Sequence, residues 1–140
     1  MADRDDRIIS SRAAPPVGAY PHARHAGDFL FLSGIGPRRA GTDEIPGVRR
    51  DEGGQIVSHD IETQTRAVID NLKFILEDCG SSLERIVDVT VFLTHMSEDF
   101  TTFNRVYAEY FSTIQPTRTT IGVVALPTPI AIELKVIAQK

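Results

Sequence analysis

The 140-residue sequence has one cysteine, Cys79, and no tryptophan. A single cysteine excludes an intrachain disulfide and every zinc or iron–sulfur site that needs two or more thiolates. Long apolar runs are also missing, since no stretch approaches the roughly 20 residues that a membrane-spanning helix needs. Residues 1–7 are charged and lack the apolar segment of a secretory signal. These absences predict a cytoplasmic protein that does not enter a membrane.

An excess of basic charge is missing as well. Fifteen lysines and arginines stand against nineteen acidic residues, which gives a net charge of −4. This balance argues against a nucleic-acid partner held by a general basic field, although a small anion needs only a local cationic pocket. The composition, with 41% hydrophobic and 24% charged residues, is typical of a globular protein. We expect a single domain over residues 1–140, with residues 1–7 flexible.

Hydrophobic periodicity predicts an α+β fold. Apolar residues recur at helical spacing in two segments, and alternating or β-branched runs mark several strands. The predicted strands are 8–10, 29–33, 86–93, 117–124 and 130–138, and the predicted helices are 60–79 and 97–111. Two helices suffice to cover one face of a mixed sheet. The other face then needs burial, which oligomerisation would provide.

Residues 37–55 are predicted to form a long surface loop or hairpin excursion. The segment is rich in proline and glycine and carries four arginines, Arg38, Arg39, Arg49 and Arg50. Connections of this length are often functional. A solvated loop is the simpler interpretation of the arginines, because paired arginines are common on surfaces.

Several common sites are absent from the sequence. Gly34 and Gly36 do not belong to a dinucleotide-binding glycine pattern, and neither a phosphate-binding loop nor a zinc-protease motif occurs. His22 and His25 are spaced three apart but have no third metal ligand nearby, so we interpret them as surface histidines. The sequence therefore predicts neither a metal nor an organic cofactor.

Two charges inside apolar strands attract attention. Arg118 begins one predicted strand, and Glu133 lies between Ile132 and Leu134 in another. A charge in such a position is costly unless it has a partner or a polar cleft. A structural Arg118–Glu133 salt bridge is one interpretation. In the other, Arg118 binds a substrate carboxylate and Glu133, with a raised pKa, transfers protons.

Three further residues are weaker candidates for a binding site. Tyr20 lies in a predicted loop, where an aromatic ring could line a pocket or simply pack. Asn104 lies on the second helix and could bind a ligand or face solvent. Thr120 shares a strand face with Arg118, and its hydroxyl could contact a ligand or serve only β propensity.

Short motifs from about residue 16 to the end resemble the RidA/YjgF family of reactive-intermediate deaminases. The matching positions are 18–20 (Gly-Ala-Tyr), 31–34 (Phe-Leu-Ser-Gly), Gln64, 71–72 (Asn-Leu), 89–93 (Val-Thr-Val-Phe-Leu), 99–100 (Asp-Phe), 104–107 (Asn-Arg-Val-Tyr), 116–120 (Pro-Thr-Arg-Thr-Thr), 126–127 (Leu-Pro) and 132–134 (Ile-Glu-Leu). Each motif alone is short, but their order and spacing together are specific. The segments around Arg118 and Glu133 are the most characteristic.

The resemblance implies a chorismate-mutase-like fold and a homotrimer with active sites between subunits, and leaves open whether trimers pair into a hexamer. It implies hydrolysis of imines and enamines to ketones and ammonia without a cofactor. Arg118 matches the arginine that binds the substrate carboxylate, and Glu133 matches the glutamate that activates water. Tyr20, Asn104 and Thr120 match residues that line the pocket.

Some positions depart from the general family pattern and resemble its 2-aminomuconate deaminase branch, which serves aromatic degradation in bacteria. Residues 18–22 read Gly-Ala-Tyr-Pro-His, Ile35 replaces a polar residue, and Thr120 stands where cysteine is common. We expect a dicarboxylate substrate, with His22 or a loop arginine binding the second carboxylate. A broad imine hydrolase and a non-catalytic ligand-binding or chaperone-like module are the alternatives.

Overall fold

The computed structural model describes residues 6–42 and 44–140, which form eight strands and two α-helices. The strands are β1 (Arg7–Ile8), β2 (Ala23–Ala26), β3 (Phe29–Leu32), β4 (Val48–Arg50), β5 (Ile56–His59), β6 (Ile86–Leu93), β7 (Thr117–Gly122) and β8 (Ile132–Gln139). The helices are α1 (Ile61–Asp78) and α2 (Met96–Phe111), and a single 3₁₀ turn (Leu83–Arg85) precedes β6.

Six strands form one mixed sheet in the order β1-β2-β3-β8-β6-β7. All neighbours are antiparallel except β6 and β7, which are parallel and are joined by α2 as the crossover. Strands β4 and β5 pair separately as a two-stranded hairpin. Strand β7 is therefore an edge strand, whereas β8 lies in the interior of the sheet beside β6.

Both helices pack on one face of this sheet. The stripe of α1, with Val68, Leu72 and Leu76, is fully buried against alternating residues of the strands, such as Val91 and Leu134. Because α1 presents its apolar residues at a 3.6-residue period and β6 and β8 alternate at period two, each element has one face to bury. Gly80 ends α1 in a left-handed conformation with φ of 78°, which a side chain would oppose.

The opposite face of the sheet remains partly uncovered in the single chain. Phe29 and Phe31 of β3 and Ile121 of β7 are about 40% exposed. Phe31 is paired with Ile137 and Ile121 with Phe92, so this outer face is continuous across the sheet. An apolar sheet face of this kind is typical of a surface that another subunit covers.

The structure confirms the predicted α+β class with two helices on one sheet face. The hairpin β4–β5 forms within and just after the basic segment 37–55, and β8 begins two residues later than predicted. Strand β2 was missed, because its polar sequence Ala-Arg-His-Ala lacks an apolar alternation. Of the segment expected to be flexible, residues 1–5 lie outside the described residues and Arg7 already belongs to β1. No helix in the described part of the chain is both long and apolar enough to cross a membrane.

Candidate active site

Arg118 lies on the helix face of edge strand β7. Its pairing with the buried Val89 directs the side chain toward α2, where the guanidinium carbon lies 4.7 Å from the Tyr107 ring centroid and 5.4 Å from that of Phe103. Such stacking holds the planar fork in place while leaving its N–H groups free. Among the described residues, no carboxylate forms an ion pair with Arg118. The half-buried guanidinium is therefore available to an anion from outside the chain.

A cleft of about 440 Å³ opens beside Arg118. Asn104 and Tyr107 of α2 line it together with Gln115 and Arg118. The Tyr107 hydroxyl and the Thr120 Oγ1 are buried and have no hydrogen-bond partner within the described residues. Burial raises the pKa of Tyr107 to about 12, so its hydroxyl stays protonated and can donate. Buried hydroxyls without hydrogen-bond partners, beside a guanidinium without an ion-pair partner among the described residues, are typical of a binding site for a polar ligand.

Glu133 lies on β8, two strands away, and lines a second cleft of about 330 Å³. The other lining residues are Tyr20, Ser33, Gly34, Pro127 and Lys135. Burial of the carboxyl raises the pKa of Glu133 above its ordinary value, and the positive charge of Lys135 offsets part of this rise. A half-buried carboxyl with a raised pKa is suited to accept and return a proton.

Gly34 gives the Glu133 carboxyl its space. A Cβ atom at position 34 would lie 2.7 Å from the Glu133 Cδ and closer still to one of its oxygens. Residue 34 lies two positions after the end of β3, and the adjacent Ile35 exchanges two backbone hydrogen bonds with Leu134. The chain after β3 therefore runs against β8 at the level of Glu133, and only a residue without a side chain leaves the carboxyl in place.

Tyr20 is positioned by a tight turn. Its N–H donates to the Gly18 carbonyl at 2.9 Å, and its hydroxyl accepts from the Val17 N–H at 3.2 Å. The ring is about 40% exposed and contributes to the Glu133 cleft. Tyr20 and Glu133 therefore line the same cleft.

His22 is buried rather than on the surface, in contrast to the interpretation from sequence. Its Nδ1 accepts from the Ser10 N–H at 2.9 Å, so the protonated Nε2 donates to the Ala14 carbonyl at 2.8 Å. With both ring nitrogens bound to backbone groups, His22 has no free donor for a substrate carboxylate. The ring instead fixes the course of the segment that leads to Tyr20.

Only one of the four arginines in the basic segment 37–55 lies near Glu133. Arg38 donates to the Pro15 carbonyl and lines a small cavity that Tyr20 and Gly34 also border. The remaining three arginines lie elsewhere: Arg39 lies beside Arg12 and α1, and Arg49 and Arg50 are exposed on β4. Arg38 is consequently the one loop arginine near the predicted site.

Within one chain, Arg118 and Glu133 lie on opposite faces of the sheet. Arg118 is paired with Val89 on the helix face, whereas Glu133 is paired with Phe92, which shares the outer face with Ile121. The structural Arg118–Glu133 salt bridge considered from the sequence therefore does not form within the chain. Asn104 and Thr120 lie with Arg118, and Tyr20 lies with Glu133. The single chain thus carries two separate candidate half-sites, one around Arg118 and one around Glu133.

Sequence reasoning missed several lining residues. Tyr107 belongs to the aromatic stripe of α2, a pattern typical of core positions, yet its ring supports Arg118 and its hydroxyl has no hydrogen-bond partner within the described residues. Lys135 alternates with Glu133 along β8, so both side chains lie on one face of the sheet. Its Nζ donates to the Leu32 carbonyl at 2.8 Å, which holds the ammonium group close to Glu133.

Comparison with known proteins gives consistent matches along the chain. The family model described as Endoribonuclease L-PSP matches residues 11–140. A "RutC family protein" of Pyrococcus horikoshii is 41% identical, over 95% of this chain and 96% of the relative. The chloroplastic Reactive Intermediate Deaminase A of Arabidopsis thaliana is 36% identical, over 94% of this chain and 64% of the relative. The crystal structure of E. coli TdcF with bound serine is 31% identical with a TM-score of 0.81, over 96% and 98% of the two chains.

Proposed function

The chain belongs to the Endoribonuclease L-PSP family, and because it is also similar to a relative named Reactive Intermediate Deaminase A, we propose that it hydrolyses imines and enamines of amino acids to 2-oxo acids and ammonia. One observation supports this proposal: among the described residues, the guanidinium of Arg118 is stacked on aromatic rings without an ion-pair partner, and the separate carboxyl of Glu133 is desolvated and has a raised pKa. The first suits a substrate carboxylate and the second suits proton transfer. Neither group has a partner of its own within the described residues that would account for its burial.

We further propose that the two half-sites meet between subunits of a homotrimer. Each chain offers Arg118 at the edge of β7 and Glu133 on the outer face, which carries the exposed apolar residues Phe29 and Phe31. If the outer face of one chain packs against the β7 edge of the next, both kinds of half-site are completed. A cyclic arrangement repeats this contact and leaves no half-site unused.

In the proposed mechanism, Arg118 binds the carboxylate next to the reacting carbon and fixes its orientation. An enamine first takes a proton from solvent at carbon and becomes an iminium ion. Water then adds to the C=N carbon while one of its protons passes to Glu133, which gives a neutral carbinolamine. Glu133 returns that proton to the nitrogen, the C–N bond breaks and ammonia leaves, and loss of the hydroxyl proton to solvent gives the 2-oxo acid. General acid–base catalysis of this kind contributes roughly 10²–10⁴-fold.

For the substrate, we propose 2-aminomuconate, a conjugated dicarboxylate enamine, with 4-oxalocrotonate as the product and aromatic degradation as the context. One carboxylate would bind Arg118. Lys135 lies in the Glu133 cleft, and Arg38 borders the adjoining cavity, so either can bind the second carboxylate. The TdcF structure with bound serine supports recognition of an amino-acid-like carboxylate in this family. A broad specificity for 2-imino acids is the alternative within the same reaction.

The decisive experiment measures ammonia release and kcat/KM on 2-aminomuconate and on a monocarboxylate enamine generated in situ from serine. We expect turnover of both, with preference for the dicarboxylate. Arg118→Ala should raise KM strongly, Glu133→Gln should nearly abolish kcat, and Lys135→Gln should reduce only the preference for the dicarboxylate. Arg49→Ala, on the exposed hairpin, is the matched control for loss of a cation.

Equal kcat in wild type and Glu133→Gln would refute the proposed role of the carboxyl. Ligand binding without ammonia release from any imine would instead support a non-catalytic binding module. A preference for monocarboxylate imines would favour the broad hydrolase over the 2-aminomuconate assignment.

A further inference from the structure

A second cluster of chemically active side chains lies away from both half-sites. His59 ends β5, His95 precedes α2, and Asp99 belongs to the first turn of α2. One donor atom from each of the three lies within 4.8 Å of the other two. The His59 Nε2 is 2.7 Å from an Asp99 carboxylate oxygen, and the two imidazole rings are 4.8 Å apart. The fold thus brings His59 together with two residues that follow it by 36 and 40 positions in the sequence.

We propose that His59, His95 and Asp99 form a binding site for a divalent transition metal ion, with Zn²⁺ as the ion that suits these donors. Two imidazoles and one carboxylate are a common three-ligand set for zinc, and such sites leave a further position for water or another ligand. This inference is independent of the proposed deaminase function.

The geometry needs little change to bind the ion. Zinc–ligand distances of about 2.0–2.2 Å place the donor atoms of a tetrahedral site roughly 3.3 Å apart. The His59 Nε2 and the Asp99 oxygen must therefore move apart by about half an ångström, and the metal ion would replace the hydrogen bond between them. His95 must approach them, and its ring is exposed and bonded only to the hydroxyl of its neighbour Thr94 among the described residues.

Burial distinguishes this cluster from a chance group of surface acids. Asp99 is only 6% exposed and His59 is half-buried, so the carboxylate is already desolvated and is compensated by one imidazole. A divalent cation in place of this hydrogen bond would bring positive charge to a carboxylate that is held away from solvent. The two histidines also line a cleft of about 270 Å³ bounded by residues 124–126 and 128–131, which gives the remaining coordination position access to water.

The site would fasten the β4–β5 hairpin to the body of the protein. His59 is the last residue of the hairpin, whereas His95 and Asp99 belong to the crossover that connects β6 with β7. A metal bound to all three would join these segments directly. Since the unfolded chain does not preform the site, metal binding would also stabilise the folded state.

The test uses the purified full-length protein, treated with a chelator and dialysed, and titrated with ZnCl₂ alone by calorimetry. We expect one Zn²⁺ per chain and a rise in Tm on adding the ion. Co²⁺ in its place should give the visible absorption bands of a four- or five-coordinate ion with nitrogen ligands. His95→Ala should weaken Zn²⁺ binding by at least about tenfold, and Asp99→Asn should do the same.

His25→Ala is the matched control, because His25 is a partly buried histidine outside the cluster, and it should bind Zn²⁺ like the wild type. His95 is exposed, so its variant should fold normally and remain interpretable even if Asp99→Asn does not. Binding that is absent in the wild type, or equal in wild type and His95→Ala, would overturn the proposal. Deaminase assays take no part in this test, so its failure leaves the proposed function untouched.

Discussion

At the scale of single residues, the proposed active site is built from groups that one chain leaves unsatisfied. Arg118 is stacked on aromatic rings but has no carboxylate partner in the described residues, and the Tyr107 and Thr120 hydroxyls beside it are buried without hydrogen bonds. Glu133 loses hydration without gaining a compensating hydrogen bond there. Each of these groups costs stability in the free chain, so a ligand that satisfies them has a physical reason to bind.

Replacing Glu133 with glutamine is expected to stabilise the protein at neutral pH while abolishing turnover. Burial raises the pKa of Glu133 in the folded state, so between the ordinary pKa of 4.5 and the raised value the folded chain binds more protons than the unfolded one. The stabilisation that comes from protonating this carboxyl in the folded state is therefore fully present below about pH 4.5. It is lost as the pH rises through the pKa of the folded state.

Thermal unfolding of wild type and Glu133→Gln at pH 4 and pH 8 tests whether this carboxyl lowers stability as the pH rises. The variant should have the higher Tm at pH 8, and the difference should shrink at pH 4. Glu52→Gln, on an exposed loop of the hairpin, serves as the control and should show no such dependence. A Tm advantage that grows toward acid pH would contradict the assigned direction.

Adding one methyl group at Gly34 is expected to reduce catalysis with little loss of stability. The new Cβ would fall 2.7 Å from the Glu133 Cδ, and the carboxyl can escape only by swinging away, because it is the free end of a flexible side chain. Displacement of a reacting group by about 1 Å can cost on the order of 10²-fold in rate. Gly34→Ala should therefore lower kcat while leaving Tm nearly unchanged. Gly53→Ala in the hairpin is the control and should change neither kcat nor Tm.

At the scale of elements, one buried glutamine on α1 sets the approach to β8. The Gln64 Oε1 accepts a hydrogen bond from the Ala131 N–H at 2.9 Å, just before β8 begins at Ile132. Gln64 is fully buried, and the strand that follows carries Glu133 and Lys135. The helix therefore anchors the strand that presents the proposed proton-transfer group.

Substituting Gln64 with leucine is expected to destabilise the fold by up to about 1–3 kcal/mol, because the buried Ala131 N–H loses its acceptor, while removal of the Gln64 Nε2, which is buried without a partner among the described residues, offsets part of this loss. Denaturant unfolding should show a lower midpoint with an unchanged m value. Gln55→Leu, at an exposed position of the hairpin, is the matched control and should leave the midpoint nearly unchanged. Equal midpoints for wild type and Gln64→Leu would show that this hydrogen bond contributes nothing.

At the scale of the whole molecule, the sheet separates the two proposed catalytic groups. Arg118 faces α2 and Glu133 lies on the outer face, so no side-chain movement within one chain can bring them together. The partly exposed apolar residues of that outer face give a second, independent reason for association. Assembly and catalysis are therefore expected to depend on the same surface.

Mixing two inactive variants is expected to restore activity. A chain with Arg118→Ala still supplies Glu133, and a chain with Glu133→Gln still supplies Arg118. In randomly mixed cyclic oligomers, about a quarter of the clefts between subunits combine the two intact residues. Co-expression with two different tags, tandem purification and an ammonia assay test this. If the purified mixed oligomers are no more active than either parent, the site does not lie between subunits.

The sequence by itself determined most of the elements and the family. The helical and alternating periods of the apolar residues reflect local geometry, and so α1, α2, β3 and β6 lie within one or two residues of their predicted limits. It also singled out Arg118 and Glu133, because a charge among β-branched residues is conspicuous in any register. Strand β2 was not predicted, because its own residues show no strand pattern and it forms by pairing with its neighbouring strands.

Only the tertiary structure decided which of these residues share a space. The opposite faces of Arg118 and Glu133 follow from the register of three strands, and the burial of His22 follows from backbone groups 8 and 12 residues away. The approach of His59 to Asp99 joins residues 40 positions apart. Such contacts are fixed by the packing of whole elements against one another, which no local pattern in the chain encodes.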